Sequence, residues 1–140
     1  EALKKSSPLG EIMAVAIENK NASLAVIKDS IEEAGSLASF RLEKYLGFLS
    51  TISTVAPLLG LFGTIIGMVE LFSSFTSTGH DVSIFARGIS IALYNTAGGI
   101  VVAVPAMIAF RYFRSKVDYL VNEMEQQALR LVEVIRGERK

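Results

Sequence analysis

The chain has 140 residues, of which 51% are hydrophobic and 20% are charged, and its 14 basic and 14 acidic side chains leave no formal net charge. Without an excess of positive charge, the sequence lacks the electrostatic signature of a nucleic-acid-binding protein. It has no cysteine and a single histidine, His80, which excludes disulfides, thiolate metal sites and histidine-rich metal sites.

The first segment, residues 1–44, is predicted to be helical and cytoplasmic. Ser7 followed by Pro8 is typical of a helix start, with Ser as the N-cap and Pro at the first helical position. That helix is expected to end near residues 19–21. From about Ala22 as far as Tyr45, apolar residues recur at steps of three and four, which predicts one helix that continues into the next segment. Because the chain begins with Glu1 rather than Met, we expect a further piece to precede it.

Two uncharged stretches, residues 45–69 and residues 88–110, decide the class of the protein. They are 25 and 23 residues long, and a membrane-spanning helix needs about 20 apolar residues. The alternative is an apolar core hairpin in a soluble protein, but 140 residues could not cover two such helices on all sides. The sequence therefore predicts an all-α integral membrane protein in which two transmembrane helices form a hairpin.

The orientation of this hairpin follows from the residues that flank it. Basic residues precede the first stretch and follow the second: Arg41, Lys44, Arg111, Arg114 and Lys116. The connecting segment, residues 70–87, has one basic residue, Arg87. By the positive-inside rule, both chain ends are cytoplasmic and residues 70–87 form a short periplasmic loop. Residues 111–140 then form a cytoplasmic amphipathic helix, whose apolar stripe is best explained by bundle packing or oligomer contact.

Small residues mark one face of each predicted span. Helices in lipid associate through such faces and through side-chain hydrogen bonds. The predicted helix-packing residues are Gly60, Gly63, Gly67, Ala92, Gly99 and the two prolines, Pro57 and Pro105. The prolines indicate either kinked packing or flexibility at a pore mouth.

Three polar side chains inside the spans, Thr64, Asn95 and Thr96, are candidates for an ion pathway. A Thr hydroxyl in a membrane helix commonly bonds to its own i−4 carbonyl, but hydroxyls that face a narrow cavity can also contact protons or ions. Asn95 is the more informative residue, because an amide in hydrocarbon needs a partner. Neither span contains a carboxylate or a basic group, so this subunit alone is a poor proton channel.

Two sequence runs carry a family resemblance. Residues 56–72 read APLLGLFGTIIGMVELF, and residues 88–113 read GISIALYNTAGGIVVAVPAMIAFRYF. Both resemble the last two membrane helices of the ExbB/TolQ/MotA proton-channel family, and they are most like ExbB. The resemblance covers the chain from about Leu42 to its C-terminus.

The resemblance implies a function and a set of partners. Such proteins are inner-membrane pentamers with a further membrane helix upstream, and their last two helices line a central channel. An ExbD-like single-span partner supplies the aspartate that carries the proton, and a TonB-like protein receives the force for outer-membrane transport. By motif, the family's pore threonines fall on Thr64 and Thr96. Many members have a glutamate where this chain has Ile91, which leaves the partner's aspartate as the sole ionisable group that the resemblance implies for the pathway.

The sequence leaves three kinds of function in competition. The favoured one is an ion-conducting, channel-forming stator subunit, with a TolQ-like envelope-integrity motor as its variant. The second is a non-conducting membrane scaffold that oligomerises through the small-residue faces and contacts only lipid and its own copies. The third, an intramembrane enzyme, is disfavoured because neither span has a nucleophile and base or an acid–base pair, and no cofactor site is indicated.

Overall fold

A computed structural model describes residues 7–78 and 82–137, where it forms four helices. They are α1 (Pro8–Glu18), α2 (Leu24–Glu43), α3 (Leu46–Thr78) and α4 (Val82–Ile135). The described residues contain no strand, which confirms the all-α prediction. Residues 1–6, 79–81 and 138–140 lie outside the described residues. They include His80 and parts of the predicted segments 1–44, 70–87 and 111–140.

The chain divides into two compact units. The first, here called the bundle unit, comprises Glu1–Tyr45 and Phe113–Lys140, and so contains α1, α2 and the last part of α4. The second, the hairpin unit, is Leu46–Tyr112 and contains α3 with the first part of α4.

The helix starts in the bundle unit are fixed by serine caps. The predicted N-cap at Ser7 is confirmed: its hydroxyl accepts a hydrogen bond from the Gly10 amide at 3.1 Å, and Pro8 occupies the first turn. Ser23 caps α2 in the same way, accepting from the Val26 amide at 3.4 Å. Each cap satisfies one amide that has no partner inside its helix.

The core of the bundle unit is made by one apolar face from each of its three helices. Its buried members are Ile12 and Ala16 on α1, Ile27, Ile31 and Ala38 on α2, and Ala128 and Val132 on α4. Full burial of a branched aliphatic side chain contributes about 1.5–3 kcal/mol each. At the surface, one guanidinium nitrogen of Arg41, Nη1, lies 2.9 and 2.8 Å from the two carboxylate oxygens of Glu11. An ion pair exposed to water contributes only about 0–1 kcal/mol to stability.

One carboxyl group in the bundle unit lies against backbone. Glu125 on α4 contacts Gly35 on α2, at the place where a β-carbon on Gly35 would lie. Burial, and then the charge of the neighbouring Glu32, raise the pKa of the Glu125 carboxyl above its usual 4.5. Glu125 therefore binds a proton more readily in the folded bundle than in the unfolded chain.

The expected single helix from residue 22 into the first span is interrupted. Helix α2 ends at Glu43 and α3 begins at Leu46. At the end of α2 the Lys44 amide donates to the carbonyl of Arg41, three residues back, at 3.4 Å. This tighter turn replaces the α-helical bond to residue 40.

In the hairpin unit the helices are longer than the predicted spans, and the expected loop over residues 70–87 is corrected. Helix α3 continues to Thr78 and α4 begins at Val82. Ser73, a residue type that is common in turns, donates its hydroxyl to the Glu70 carbonyl at 2.8 Å and stays in the helix. The rings of Phe72 and Phe85 meet edge to face, with centroids 6.0 Å apart, and join the two extensions.

Both long helices are apolar on the outside. Leu46–Ser73 and Val82–Ile135 contain windows with a mean hydropathy of 1.9 and 1.7, and only 11% of each window is buried. A core helix of a soluble protein would be mostly buried, so the exposure of these helices is consistent with a membrane protein.

Candidate functional site

The two helices of the hairpin unit approach each other backbone to backbone at a pair of glycines. A β-carbon on Gly60 would lie 2.7 Å from the Asn95 carbonyl oxygen, and one on Gly99 would lie 2.5 Å from the Ala56 carbonyl oxygen. Real β-carbons do not approach an oxygen this closely. Only glycine therefore allows the contact, and it brings the polar groups one turn away within reach of each other.

The other predicted packing residues surround this contact. A β-carbon on Gly63 would lie 3.2 Å from the Asn95 side chain, and one on Gly67 would lie 3.5 Å from the β-carbon of Ala92. Ala92 itself is buried, with 1% of its surface exposed. The small-residue faces of the two helices thus meet each other inside one chain.

Thr64 and Thr96 are brought together at the centre of this contact. Their hydroxyl oxygens lie 2.5 Å apart, and either one could donate the proton. The Thr64 oxygen also lies 2.9 Å from the Ala92 carbonyl oxygen and 3.1 Å from that of Gly60. A Thr hydroxyl has one proton, so the arrangement that uses both protons has Thr96 donating to Thr64 and Thr64 donating to the carbonyl of Ala92 or of Gly60.

The remaining predicted residues take different positions. Asn95 adjoins the threonine pair along the chain, but its side chain is exposed and its inner edge packs on Gly63. Pro57 is half-buried and Pro105 is exposed, and both lie inside continuous helices rather than at breaks. Ser53 is buried and donates its hydroxyl to the Ser50 carbonyl at 2.7 Å.

The chemistry of this site is limited to neutral hydrogen bonding. The described stretches 46–69 and 88–110 contain no charged side chain, and no metal-binding cluster of His, Cys, Asp or Glu occurs among residues 7–78 and 82–137. A hydroxyl pair can donate, accept and reverse its polarity, but neither Thr holds a charge at physiological pH. A proton or other ion that moves along this site would have to be carried by a group outside these two stretches.

A second feature lies at the closed end of the hairpin, and the sequence reasoning missed it. Ile91 lines a cavity of about 270 Å³ together with Glu70 and Arg87. These two charged residues were treated as the ends of a loop. The signal that could have found them is that each is the first charged residue beyond its uncharged stretch.

Comparison with known proteins gives one family. The sequence model of the MotA/TolQ/ExbB proton channel family matches residues 4–126. This match covers most of the chain, including α3, α4 as far as residue 126, and the threonine pair.

Individual relatives carry two kinds of name. "Biopolymer transport protein ExbB" of Pseudomonas putida is 34% identical over 93% of this chain and 48% of its own length. The protein of the same name in Salmonella typhimurium is 36% identical over 51% of this chain and 30% of its own. "Tol-Pal system protein TolQ" of Haemophilus influenzae is 34% identical over 77% of this chain and 47% of its own. The chain spans about half the length of the Pseudomonas and Haemophilus relatives.

Proposed function

Because the chain belongs to the MotA/TolQ/ExbB proton channel family, we propose that it is a channel-forming stator subunit of a motor driven by the proton-motive force. In this proposal the protein resides in the bacterial inner membrane as a homo-oligomer, a pentamer, with both ends of this chain in the cytoplasm. With an ExbD-like single-span partner it energises a TonB-like protein for outer-membrane transport.

The observation that carries the proposal is the joined pair of hydroxyls, Thr64 and Thr96, in a hairpin without charged groups at that level. Two helices could pack through Gly60 and Gly99 alone, so packing does not require this pair. Two hydroxyls 2.5 Å apart with carbonyl oxygens around them form a short chain of hydrogen bonds. Such a chain offers a proton or a water molecule alternating donors and acceptors.

The same hairpin explains why a partner is part of the proposal. Proton carriage needs a group that titrates, and the described stretches 46–69 and 88–110 have none. A carboxyl group supplied by a second protein would provide this titrating group, and the hydroxyls of Thr64 and Thr96 can hydrogen-bond to it when one of them turns from its partner in the hairpin. An ExbD-like helix with its aspartate fits this requirement.

A TolQ-like motor is the second candidate, and the Haemophilus relative named for the Tol-Pal system favours it. Both candidates use the same hairpin and differ in the partner that they energise. A non-conducting scaffold is the alternative of another class, and it predicts that the threonine hydroxyls contribute packing and nothing else.

The test removes the hydroxyls and keeps the shape. The double variant Thr64→Val, Thr96→Val, purified with the ExbD-like partner and placed in lipid vesicles, is expected to conduct protons about tenfold more slowly. This corresponds to a barrier increase of about 1.4 kcal/mol, which one or two lost hydrogen bonds of about 0.5–1.5 kcal/mol each would supply. Thr54→Val is the matched control, because the exposed Thr54 hydroxyl bonds within its own helix to the Ser50 carbonyl.

Assembly is measured in the same preparations by native mass spectrometry. A net loss of about 0.5–1.5 kcal/mol per hydrogen bond is too small to disperse an oligomer held by many packed faces. Undiminished proton flux in the double valine variant would remove the hydroxyls from the mechanism. Absence of flux in the wild-type complex would favour the scaffold. A stable monomer would contradict the channel-forming subunit and the oligomeric scaffold alike.

A further inference from the structure

Asn95 on α4 carries a side-chain amide without a hydrogen-bond partner in the described part of the chain. The side chain is exposed, and it makes no hydrogen bond with any of residues 7–78 and 82–137. Five hydroxyl groups of the same two uncharged stretches do hydrogen-bond within the chain, those of Thr51, Ser53, Thr54, Thr64 and Thr96. The amide of Asn95 therefore has donors and an acceptor to offer to another molecule.

The position of Asn95 along α4 places this amide inside the membrane. It lies eight residues beyond Arg87 and sixteen before Arg111, the charged residues that flank its stretch. At about 1.5 Å per residue, these separations are about 12 and 24 Å of helix. Long side chains such as Lys and Arg can extend from such a depth toward the headgroups, but an Asn side chain is too short to do so. Because an amide in hydrocarbon without a hydrogen bond is costly, we expect it to meet protein rather than lipid.

The amide lies beside the threonine pair. The Asn95 side chain packs on α3 at Gly63, where a β-carbon would lie 3.2 Å from both the β-carbon and the amide nitrogen of Asn95. Gly63 and Asn95 are each followed along the chain by one member of the pair, Thr64 and Thr96. The two hydroxyls already bond to each other and to carbonyl oxygens of the hairpin. A group from another chain that reaches this level can therefore hydrogen-bond to the amide without breaking a bond inside the hairpin.

The chemistry of the amide selects the group that it binds. A primary amide has two N–H donors and one acceptor oxygen. A carboxylate only accepts hydrogen bonds, whereas a carboxylic acid donates one and also accepts. The amide satisfies both forms, since its N–H groups donate to the carboxylate and its oxygen accepts from the acid. A second copy of this chain fits less well, because subunits around one rotation axis bring identical residues together only at that axis.

We propose that Asn95 is the residue through which this chain binds the carboxyl group of its single-span partner, in both the charged and the protonated form. The inference rests on the proposed function, from which it takes the partner that carries the carboxyl group. Asn95 holds that group beside the hydroxyls of Thr64 and Thr96. Because one side chain binds both forms, the carboxyl group keeps its place when it gains or loses a proton.

A double-mutant cycle tests this contact. The wild type and Asn95→Leu, purified in detergent, are titrated with the ExbD-like protein and with its variant in which leucine replaces the membrane aspartate. Asn95→Leu is expected to bind the unaltered partner about tenfold more weakly, the effect of one charge-assisted hydrogen bond. It should bind the leucine variant of the partner within about twofold of the wild type. Tyr94→Phe is the matched control, because it removes a polar group from the neighbouring residue, which is 74% exposed, and it should bind as the wild type does.

Two results would overturn the inference. Equal losses with both forms of the partner, or no loss with either, would mean that the amide does not bind the carboxyl group. Dissociation of the Asn95→Leu oligomer in the absence of partner, seen by native mass spectrometry with helix content preserved, would assign the amide to a second copy of this chain.

Proton flux in vesicles separates this inference from the proposed function. If the wild-type complex conducts protons and the double valine variant is slower, but the cycle shows no coupling, the inference fails and the proposed channel stands. A wild-type chain that does not bind the unaltered partner would remove the proposed function and the inference together.

Discussion

In the bundle unit the largest fully buried side chains are branched aliphatics, Ile12, Ile27, Ile31 and Val132, whereas in the hairpin unit the positions at the helix contact are small. There the buried residues include Ser53, Gly60, Ala92 and Ala103. Most large apolar residues of the hairpin unit point outward instead, as Leu93, Val101 and Ile108 do with 61%, 70% and 63% of their surface exposed; Leu71, with 8% exposed, is an exception.

This inversion shows that the two units are built for different surroundings. In water, burial of large apolar side chains drives folding, so the bundle unit places them between its helices. In lipid there is no such gain, so helices pack by close backbone approach and large apolar residues face outward. Surface chemistry agrees with this contrast, because charged residues surround the bundle core while the described stretches 46–69 and 88–110 have none.

Truncation of a bundle core residue should have the largest effect. Ile31 on α2 is 1% exposed, and Ile31→Ala should destabilise the bundle unit by about 2–5 kcal/mol, the range for deletion of a buried aliphatic group. Leu37→Ala on the same helix is the control, since Leu37 is 57% exposed. Hydrogen exchange read by mass spectrometry would localise the loss of protection to the bundle helices. Equal effects at the two positions would contradict the assigned core.

A lysine introduced on an outward-facing position should have very different effects in the two units. Val101→Lys in the hairpin unit is expected to cost about 2.5–3.5 kcal/mol of membrane insertion. Val26→Lys, the same substitution at an exposed position of α2, should change stability by no more than about 0.5 kcal/mol. The measurement is the fraction of protein integrated into the membrane after expression. Full integration of Val101→Lys would mean that this face meets water or a polar partner rather than lipid.

The close helix contact predicts a strong difference between neighbouring glycines. A β-carbon at Gly99 would collide with the Ala56 carbonyl, whereas one at Gly98 meets nothing within 4 Å. Gly99→Val should therefore destabilise the hairpin by about 1–3 kcal/mol, as overpacking does, and Gly98→Val should be far milder. Thermal unfolding in detergent, followed by helix content, measures both. A milder effect at Gly99 than at Gly98 would show that the two helices do not meet through this face.

The smallest expected effect is a change in pH dependence in the bundle unit. Because the folded-state pKa of Glu125 is raised by burial and by Glu32, the folded form binds more protons between the unfolded and folded values. Stability from this group is present below pH 4.5 and is lost as the pH rises through the folded pKa. Glu125→Gln should flatten the profile in that window, while Glu123→Gln, an exposed position on the same helix, should not. Denaturant titrations at several pH values would measure it.

The connection between α3 and α4 shows where local sequence rules failed. The sequence predicts a loop over residues 70–87, yet α3 continues to Thr78 and α4 begins at Val82. Local sequence does not show that Phe72 contacts Phe85 or that Leu71 packs on Gly88. These contacts hold the end of α3 against the start of α4. Whether residues 70–87 lie in the periplasm stays a prediction.

Local periodicity and length determined the class of this protein. Uncharged runs of 25 and 23 residues and a Ser–Pro helix start depend on neighbours within a turn or two, so the sequence alone predicts the helices, their apolar character and the family motifs. Tertiary structure decided which faces meet. The hydroxyls of Thr64 and Thr96 come together only because Gly60 and Gly99 let two backbones touch, and Glu70 and Arg87 share a cavity only because the helices are antiparallel. Both pairings join residues far apart along the chain, and their geometry depends on the packing of whole helices rather than on any local pattern.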